Sequence, residues 1–440
     1  MDKFSLNFLK NKTVSLIGYG VSNRAIGEYL QKNGIGFLVR SRENVDLPSG
    51  IEGVFGEDYL KTTEDVVFRS PSVNPRYLKG NGRVFTEISF SLEGTHAYKI
   101  GVTGSDGKTT TSTMINEILK REHSSFLVGN IGTPLIKYAD KIKNDDYLVC
   151  ELSSFQLADY TPVLDIAVVT GISQNHLDWH TSMADYIFAK RNILKKARLV
   201  VVNYDSPYKD FFLGENTIYF SLHDISHLAK RGIDCVYIKD DIIYHNATSL
   251  FEKGIIKAKG KYNLLNALSA ISATYDSVSL NSIREALSSF SGVSHRAQEI
   301  DKINGITFID SSIDSTPART KSTLSAFPKE KSIVIMGGYD KNLSYECLGE
   351  EVRDLKCVVL FGENREKIYQ AIKSSVKIIN VNNIFEATNA SYKEASVGDF
   401  VILSPASASF DMFKNYKERA EKFKKAIRDL KNGEVETDFK

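Results

Sequence analysis

Cysteine is scarce: Cys150, Cys235, Cys347 and Cys357 are the only four in 440 residues, and no two form a CxxC pair. Such scattered thiols argue against a disulfide framework or a cysteine-held zinc site, and fit small buried residues in a reducing compartment. Long apolar runs are missing as well. No segment approaches the roughly 20 apolar residues of a membrane span, and the opening stretch, MDKFSLNFLKNKTVSLIGYG, lacks the apolar core of a signal peptide. The expectation is a cytoplasmic protein without a membrane partner. Charge of one sign is not in excess either: 56 basic residues face 54 acidic ones, a formal +2. Bulk electrostatics therefore gives no reason to expect nucleic acid as a partner. With no repeat, low-complexity tract or proline-rich linker, what remains is the balance of a soluble globular protein, 42% hydrophobic and 25% charged.

What is present is strand and helix alternating three times, in a chain too long for one ordinary core. TVSLIG reads as a buried strand, followed by a glycine turn, a helix around Arg24–Gln31 and a second strand at Gly36–Val39. AYKIGVTGSDGKTTT opens a second strand–loop–helix unit, continued by YLVCEL, IAVVTGI and RLVVVN, with helices near Ala184–Lys196, Asn263–Thr274 and Ser282–Ser289. The alternation restarts with ITFID, SIVIMGG, CVVLFG, VKIIN and FVILSP, with helices near Thr316–Ala326, Glu363–Lys373 and Phe410–Leu430. The predicted class is α/β in three domains: a Rossmann-like domain over 1–95, a central P-loop ATPase domain with a mostly parallel sheet over 96–296, and a Rossmann-like domain over 297–440.

The most informative short stretch is GSDGKTTT, from Gly104 to Thr111. It follows a strand and opens a helix, the context in which glycines let backbone N–H groups approach phosphate oxygens. Gly104, Ser105, Asp106 and Gly107 form the loop, Lys108 neutralises the outer phosphates, and the hydroxyls of Thr109 and Thr110 stand at the helix start, Thr109 toward Mg²⁺. ATP and Mg²⁺ are the implied ligands. Polar groups then recur where apolar strands end, the edge at which open α/β sheets bind ligands. Glu151 completes YLVCEL, and an acid closing an apolar strand is rare unless it is paired or holds a metal. His176, after IAVVTGISQN, is placed to bind metal or polarise a reacting carboxylate, whereas the neighbours of His180 suggest a surface turn.

In the first domain GYGVSNRA fails the dinucleotide spacing, because Asn23 stands at the third glycine position. The second strand ends in Arg40-Ser41-Arg42, where an NAD protein needs an acid; arginines there suit a phosphorylated nucleotide, and NADP is a competing ligand.

The loop form GVTGSDGKTTT resembles that of the Mur ligase and folylpolyglutamate synthetase superfamily. GNIGTPL, ELSSFQL, NHLDWH and AKRNIL resemble Mur ligase segments. ELSSFQL together with SPASASFDMFKNY resembles the branch that adds D-glutamate to UDP-N-acetylmuramoyl-L-alanine. The resemblance implies an ATP-dependent ligase acting through an acyl phosphate on two small-molecule substrates, as a monomer. It implies a carbamylated Lys190 supporting a second Mg²⁺, and catalytic roles for Lys108, His176 and Lys190. It also places Asn263, Asn266, Arg296 (in SHRAQ, beside His295) and Asp310 toward ATP. Gly18, Gly20, Val21, Ser22, Ser41, Arg42, Ser72, Asn130 and Ser153 fall toward the UDP substrate, and Lys341, Ser407 and Phe413 toward the amino acid. Two departures stand out. Ser72 replaces the glycine of the family's S-P-G turn, leaving the local backbone conformation open. DSSIDSTPART (Asp310–Thr320) puts Ser312 and Asp314 where many D-glutamate ligases carry lysine and threonine. An acid at Asp314 would repel a dicarboxylic substrate, so it is expected either to pair with Arg319 or to accept a proton from the substrate amine. Competing readings are the same chemistry with another amino acid, such as L-glutamate, and a nucleotide-binding relative that has lost ligation.

Overall fold

The computed structural model describes residues 3–173, 179–258, 260–340 and 343–433, so His176 and Lys341 lie outside the described residues. The chain forms two compact units, Met1–Phe290 and Ser291–Lys440.

The first unit holds two sheets. β1 (Val14–Ile17), β2 (Leu38–Ser41), β3 (Glu52–Phe55), β4 (Val66–Arg69) and β5 (Arg83–Phe85) form a parallel sheet in the order β3-β2-β1-β4-β5. VSLI and VVFR are buried along their whole length, as strands covered on both faces require. After β1 the chain turns at Gly18, with φ +73°, into the helix Val21–Lys32. The Asn23 amide reaches the carbonyls of Ile17 (3.0 Å), Gly18 (2.7 Å) and Phe68 (3.0 Å). That is why an asparagine stands where a dinucleotide fingerprint has glycine: it clamps the turn.

The second sheet runs β14-β13-β12-β11-β10-β9-β6-β8-β7. It is built from β6 (Tyr98–Thr103), β7 (Ser125–Gly129), β8 (Tyr147–Glu151), β9 (Val163–Val169), β10 (Lys196–Asn203), β11 (Thr217–Ser221), β12 (Cys235–Lys239), β13 (Ile242–His245) and β14 (Thr248–Glu252). Pairing is parallel from β7 to β12 and antiparallel through β13 and β14. The helix expected over Ala184–Lys196 is Met183–Arg191, because Lys196 already opens β10.

In the second unit β15 (Gln298–Ile303), β16 (Ile306–Asp310), β17 (Ser332–Met336), β18 (Cys357–Leu360), β19 (Ile378–Asn380) and β20 (Phe400–Leu403) are ordered β15-β16-β20-β17-β18-β19. Only β15 pairs antiparallel. The chain is thus α/β with mostly parallel sheets, as its alternation predicts. Among the described residues no helix is long and apolar enough to cross a membrane.

Candidate active site

Parallel register builds the centre of the site. β6 lies between β8 and β9, so the carboxyl ends of three adjacent strands deliver the phosphate loop, Glu151 and the Thr170–Gly171 turn to one edge. Gly104 (φ +153°) and Gly107 (φ +81°) are required there. A Cβ at Gly104 would meet Thr170 Oγ1 at 2.0 Å, and one at Gly107 would meet Asn266 Oδ1 at 2.4 Å. The helix Lys108–Leu119 starts directly at Gly107 with no side chain capping it, which leaves its N-terminus suited to an anion. Ser105 is tied down through its Oγ to the Ser173 carbonyl and the Tyr186 hydroxyl, both at 2.8 Å. Thr109 is buried at the helix start.

Two lysines converge on one carbonyl. Lys108 Nζ donates to the carbonyls of Gly104 (2.8 Å) and Ser105 (2.9 Å), and Lys190 Nζ donates to Gly104 at 2.7 Å. Lys190 is 1% exposed, on the helix Met183–Arg191, with its ammonium 4.6 Å from the centre of the Tyr186 ring. Burial, and then the neighbouring Lys108, push its amine well below the usual lysine range. Glu151 is equally buried. Its Oε1 accepts from the Asn130 amide at 2.8 Å, while Oε2 is buried with no hydrogen-bond partner. A buried carboxylate oxygen without a donor is costly, and a cation is the natural remedy. A carboxylate with the Thr109 hydroxyl is an oxygen donor set of the kind Mg²⁺ takes.

The remaining expected residues of this unit lie at carboxyl edges of the two sheets. Gly20 precedes the helix that Val21, 76% exposed, and Ser22 begin. Ser41 closes β2 and Arg42 follows it, exposed, whereas Arg40 is buried against Glu64 at 2.7 Å. Ser72 has no positive φ, so serine fits this turn without strain. Ser153 caps a short helix through a capping box with Gln156. Asn266 accepts from Thr111 Oγ1 at 3.2 Å and thereby braces the phosphate-loop helix, with Asn263 one turn earlier and half-buried.

His180 corrects the sequence reading. It is no surface-turn residue but 2% exposed, held between Ser154 and Asp185.

In the second unit Asp310 is fully buried, accepting from His295 Nδ1 at 2.8 Å and from the Ser312 N–H at 2.9 Å. His295 itself adopts φ +67°, next to Arg296. The expected Asp314–Arg319 pair does not form. The Asp314 carboxylate is buried and accepts from Thr323 Oγ1 and Ser404 Oγ, both at 2.7 Å, while Arg319 donates to the Ile313 carbonyl at 3.3 Å. Two hydroxyl donors satisfy the acid inside the fold, so it needs no arginine. Ser407 is likewise engaged. Its Oγ accepts from the Asn364 amide at 2.7 Å, and the Asn364 carbonyl oxygen receives the Gly338 N–H at 2.9 Å. Phe413 packs on the apolar core. Sequence reasoning missed Arg419, completely buried and donating to the carbonyls of Ala408 (3.1 Å), Ser312 (2.8 Å) and Ser407 (3.0 Å). Within NYKERAEKF nothing sets it apart from its charged neighbours.

With this geometry in view, similarity to known proteins is informative. Residues 102–274 match the Mur ligase middle domain, and residues 295–407 match the Mur ligase glutamate ligase domain. The UDP-N-acetylmuramoylalanine–D-glutamate ligase of Acetivibrio thermocellus is 37% identical, across 96% of this chain and 97% of that one. The enzyme of that name from Clostridium kluyveri is 36% identical, across 96% and 98%. Among solved structures, the UDP-N-acetylmuramate–alanine ligase of Thermotoga maritima superposes with a TM-score of 0.59 at 19% identity, covering 96% of this chain and 100% of that one.

Proposed function

Because the chain belongs to the Mur ligase family, we propose that it is the ATP-dependent ligase that adds D-glutamate to UDP-N-acetylmuramoyl-L-alanine in peptidoglycan precursor synthesis. The observation that carries this reading is similarity to the D-glutamate-adding ligases along almost the whole chain, joined to a phosphate loop beside an unpartnered buried carboxylate oxygen.

A carboxylate is a poor electrophile, and two anions must approach each other before it can react. The loop N–H groups and Lys108 receive the ATP phosphates, Lys108 leaving its present carbonyl partners to do so. The substrate carboxylate takes the γ-phosphoryl group, giving an acyl phosphate and ADP. The amine of the amino acid attacks the acyl carbon, and inorganic phosphate leaves with the amide formed. Mg²⁺, two ions in this reading, would be held by Thr109, Glu151, His176 and a carbamylated Lys190, and would supply neutralising charge when bound. The buried, neutral-leaning amine of Lys190 supports carbamylation, since only a free amine adds carbon dioxide. Asn263, Asn266, Arg296 and Asp310 serve ATP in this reading. Gly18, Gly20, Val21, Ser22, Ser41, Arg42, Ser72, Asn130 and Ser153 serve the uridine nucleotide, and Lys341, Ser407 and Phe413 the amino acid. The functional division is then 1–95, 96–296 and 297–440, in a cytoplasmic monomer.

Phosphate release measured with UDP-N-acetylmuramoyl-L-alanine across a panel of D- and L-amino acids tests the function; D-glutamate alone should support turnover, and a preference for L-glutamate would overturn it. Lys190→Ala should be nearly inactive and regain part of its rate with a short-chain carboxylate such as acetate. Full activity of Lys190→Ala without that addition would remove the carbamate from the mechanism.

A further inference from the structure

A run of contacts joins the loop after β4 to the segment leading into the Lys190 helix, and the site described above accounts for none of them. Trp179 Nε1 donates to the Ser72 carbonyl, and the Asn74 amide donates to the Trp179 carbonyl, both at 3.2 Å. Arg76 pairs with Asp185. The same carboxylate accepts from the Thr181 N–H at 3.1 Å and faces His180 Nδ1 at 3.3 Å, while His180 Nε2 lies 3.0 Å from Ser154 Oγ. A carboxylate can only accept, so Nδ1 carries the proton and Nε2 accepts from the Ser154 hydroxyl. Burial lowers the His180 pKa and so favours this neutral form. The connection is continuous from the loop bearing Ser72 to the residue beside Ser153, and to the helix that carries Lys190.

This connection is not what holds the two sheets together. Arg69, fully buried, joins them through Asp159 at 2.8 Å and the Phe155 carbonyl at 2.8 Å, and Ile136 and Ala139 pack into the core of the first sheet. The side chains of Arg76 and Asp185 are 47% and 20% exposed, and a pair so exposed contributes little to stability. A cavity of about 500 Å³ runs beside it, lined in part by Arg76, Trp179, His180 and Asp185, so Arg76 and Asp185 can separate without repacking a core.

We propose that Arg76, Asp185 and His180 form a positioning clasp that sets the Ser72 loop in register with Ser153 and Lys190 when the uridine nucleotide binds. The proposal rests on the ligase reading above, which assigns the Ser72 loop to that nucleotide. None of the three touches a reacting atom; they act through the loop and the helix.

Trp179 is the chain's single tryptophan, so its emission reports on the segment that carries the clasp. The full-length protein is titrated with UDP-N-acetylmuramoyl-L-alanine and, separately, with Mg-ATP, and KM is measured for each substrate. In Arg76→Ala and Asp185→Asn the midpoint and KM for the uridine substrate should rise about tenfold, with those for ATP within about twofold. Arg76→Lys should recover most of the loss, and thermal midpoints should barely move. Wild-type constants in both variants would overturn the proposal, as would equal weakening for both nucleotides. If the wild type turns over no D-glutamate, the ligase reading fails on that result alone, while the fluorescence titration still decides whether the clasp answers to the uridine nucleotide.

Discussion

Glu87 shows at the scale of one residue how a buried acid writes itself into stability. Its Oε1 accepts from the Ile136 N–H at 2.8 Å and from Ser91 Oγ at 3.1 Å, yet burial outweighs both and pushes its pKa up to about 7. The folded state therefore favours the protonated form. The stability that depends on Glu87 is complete below the ordinary glutamate value of 4.5 and is lost as pH rises toward 7. The accumulated penalty is on the order of 3 kcal/mol. Glu87→Gln, compared with wild type in thermal unfolding at pH 5 and pH 8, should gain stability only at the higher pH; a pH-independent difference would refute the assignment. The same scale explains what the chain did and did not disclose before its structure was known. Lys108 and the loop glycines were legible because their geometry is local, closed within a few residues of one turn. His180 and Asp314 were misread because their partners Ser154 and Ser404 lie 26 and 90 positions away. No local pattern announces a donor that the fold brings from so far.

The strands read from the sequence were those with apolar continuity, though β4 and β12, equally buried, were passed over. β6, β8, β9 and β10, and most strands of the second unit, are buried runs that parallel pairing demands. β13 and β14 escaped notice because they form a short, partly exposed antiparallel pair with polar residues along it. The helix expected from Phe410 begins only at Tyr416, where Asn415 caps it by accepting from the N–H groups of Lys417 and Glu418 at 3.0 and 3.1 Å. Residues 404–415 form a loop instead, fastened from beneath by Arg419. One guanidinium serves carbonyls at 312, 407 and 408, a fork that a lysine ammonium cannot match. Arg419→Met removes those donors and leaves buried acceptors unpaired, so it should destabilise the second unit by about 2–4 kcal/mol. Denaturant unfolding of the full chain measures this, and Arg419→Lys should restore only part of it. A wild-type midpoint for Arg419→Met would mean that water satisfies the loop carbonyls.

Across the whole molecule the net charge is only +2, although the protein must gather two polyanionic nucleotides and a dicarboxylic amino acid. Attraction cannot come from a global field and must be supplied locally. The phosphate loop supplies it, through Lys108 beside the uncapped start of its helix. A loop of this kind addresses the outer phosphates of ATP, so the group transferred should be the terminal phosphoryl, giving ADP, and not a nucleotidyl group giving AMP. The bookkeeping of oxygen atoms then follows. The substrate carboxylate oxygen that attacks the γ-phosphorus stays bonded to it when the amine expels phosphate from the acyl carbon. UDP-N-acetylmuramoyl-L-alanine labelled with ¹⁸O in its carboxylate should therefore pass one labelled oxygen to each inorganic phosphate released, as mass spectrometry of the phosphate would register. Label appearing in AMP would require attack at the α-phosphorus, where Lys108 is not expected to act, and would overturn the acyl-phosphate route. Unlabelled phosphate would mean that ATP hydrolysis and amide formation proceed without a shared intermediate, and the loop would then be driving a conformational change in place of activating the carboxylate.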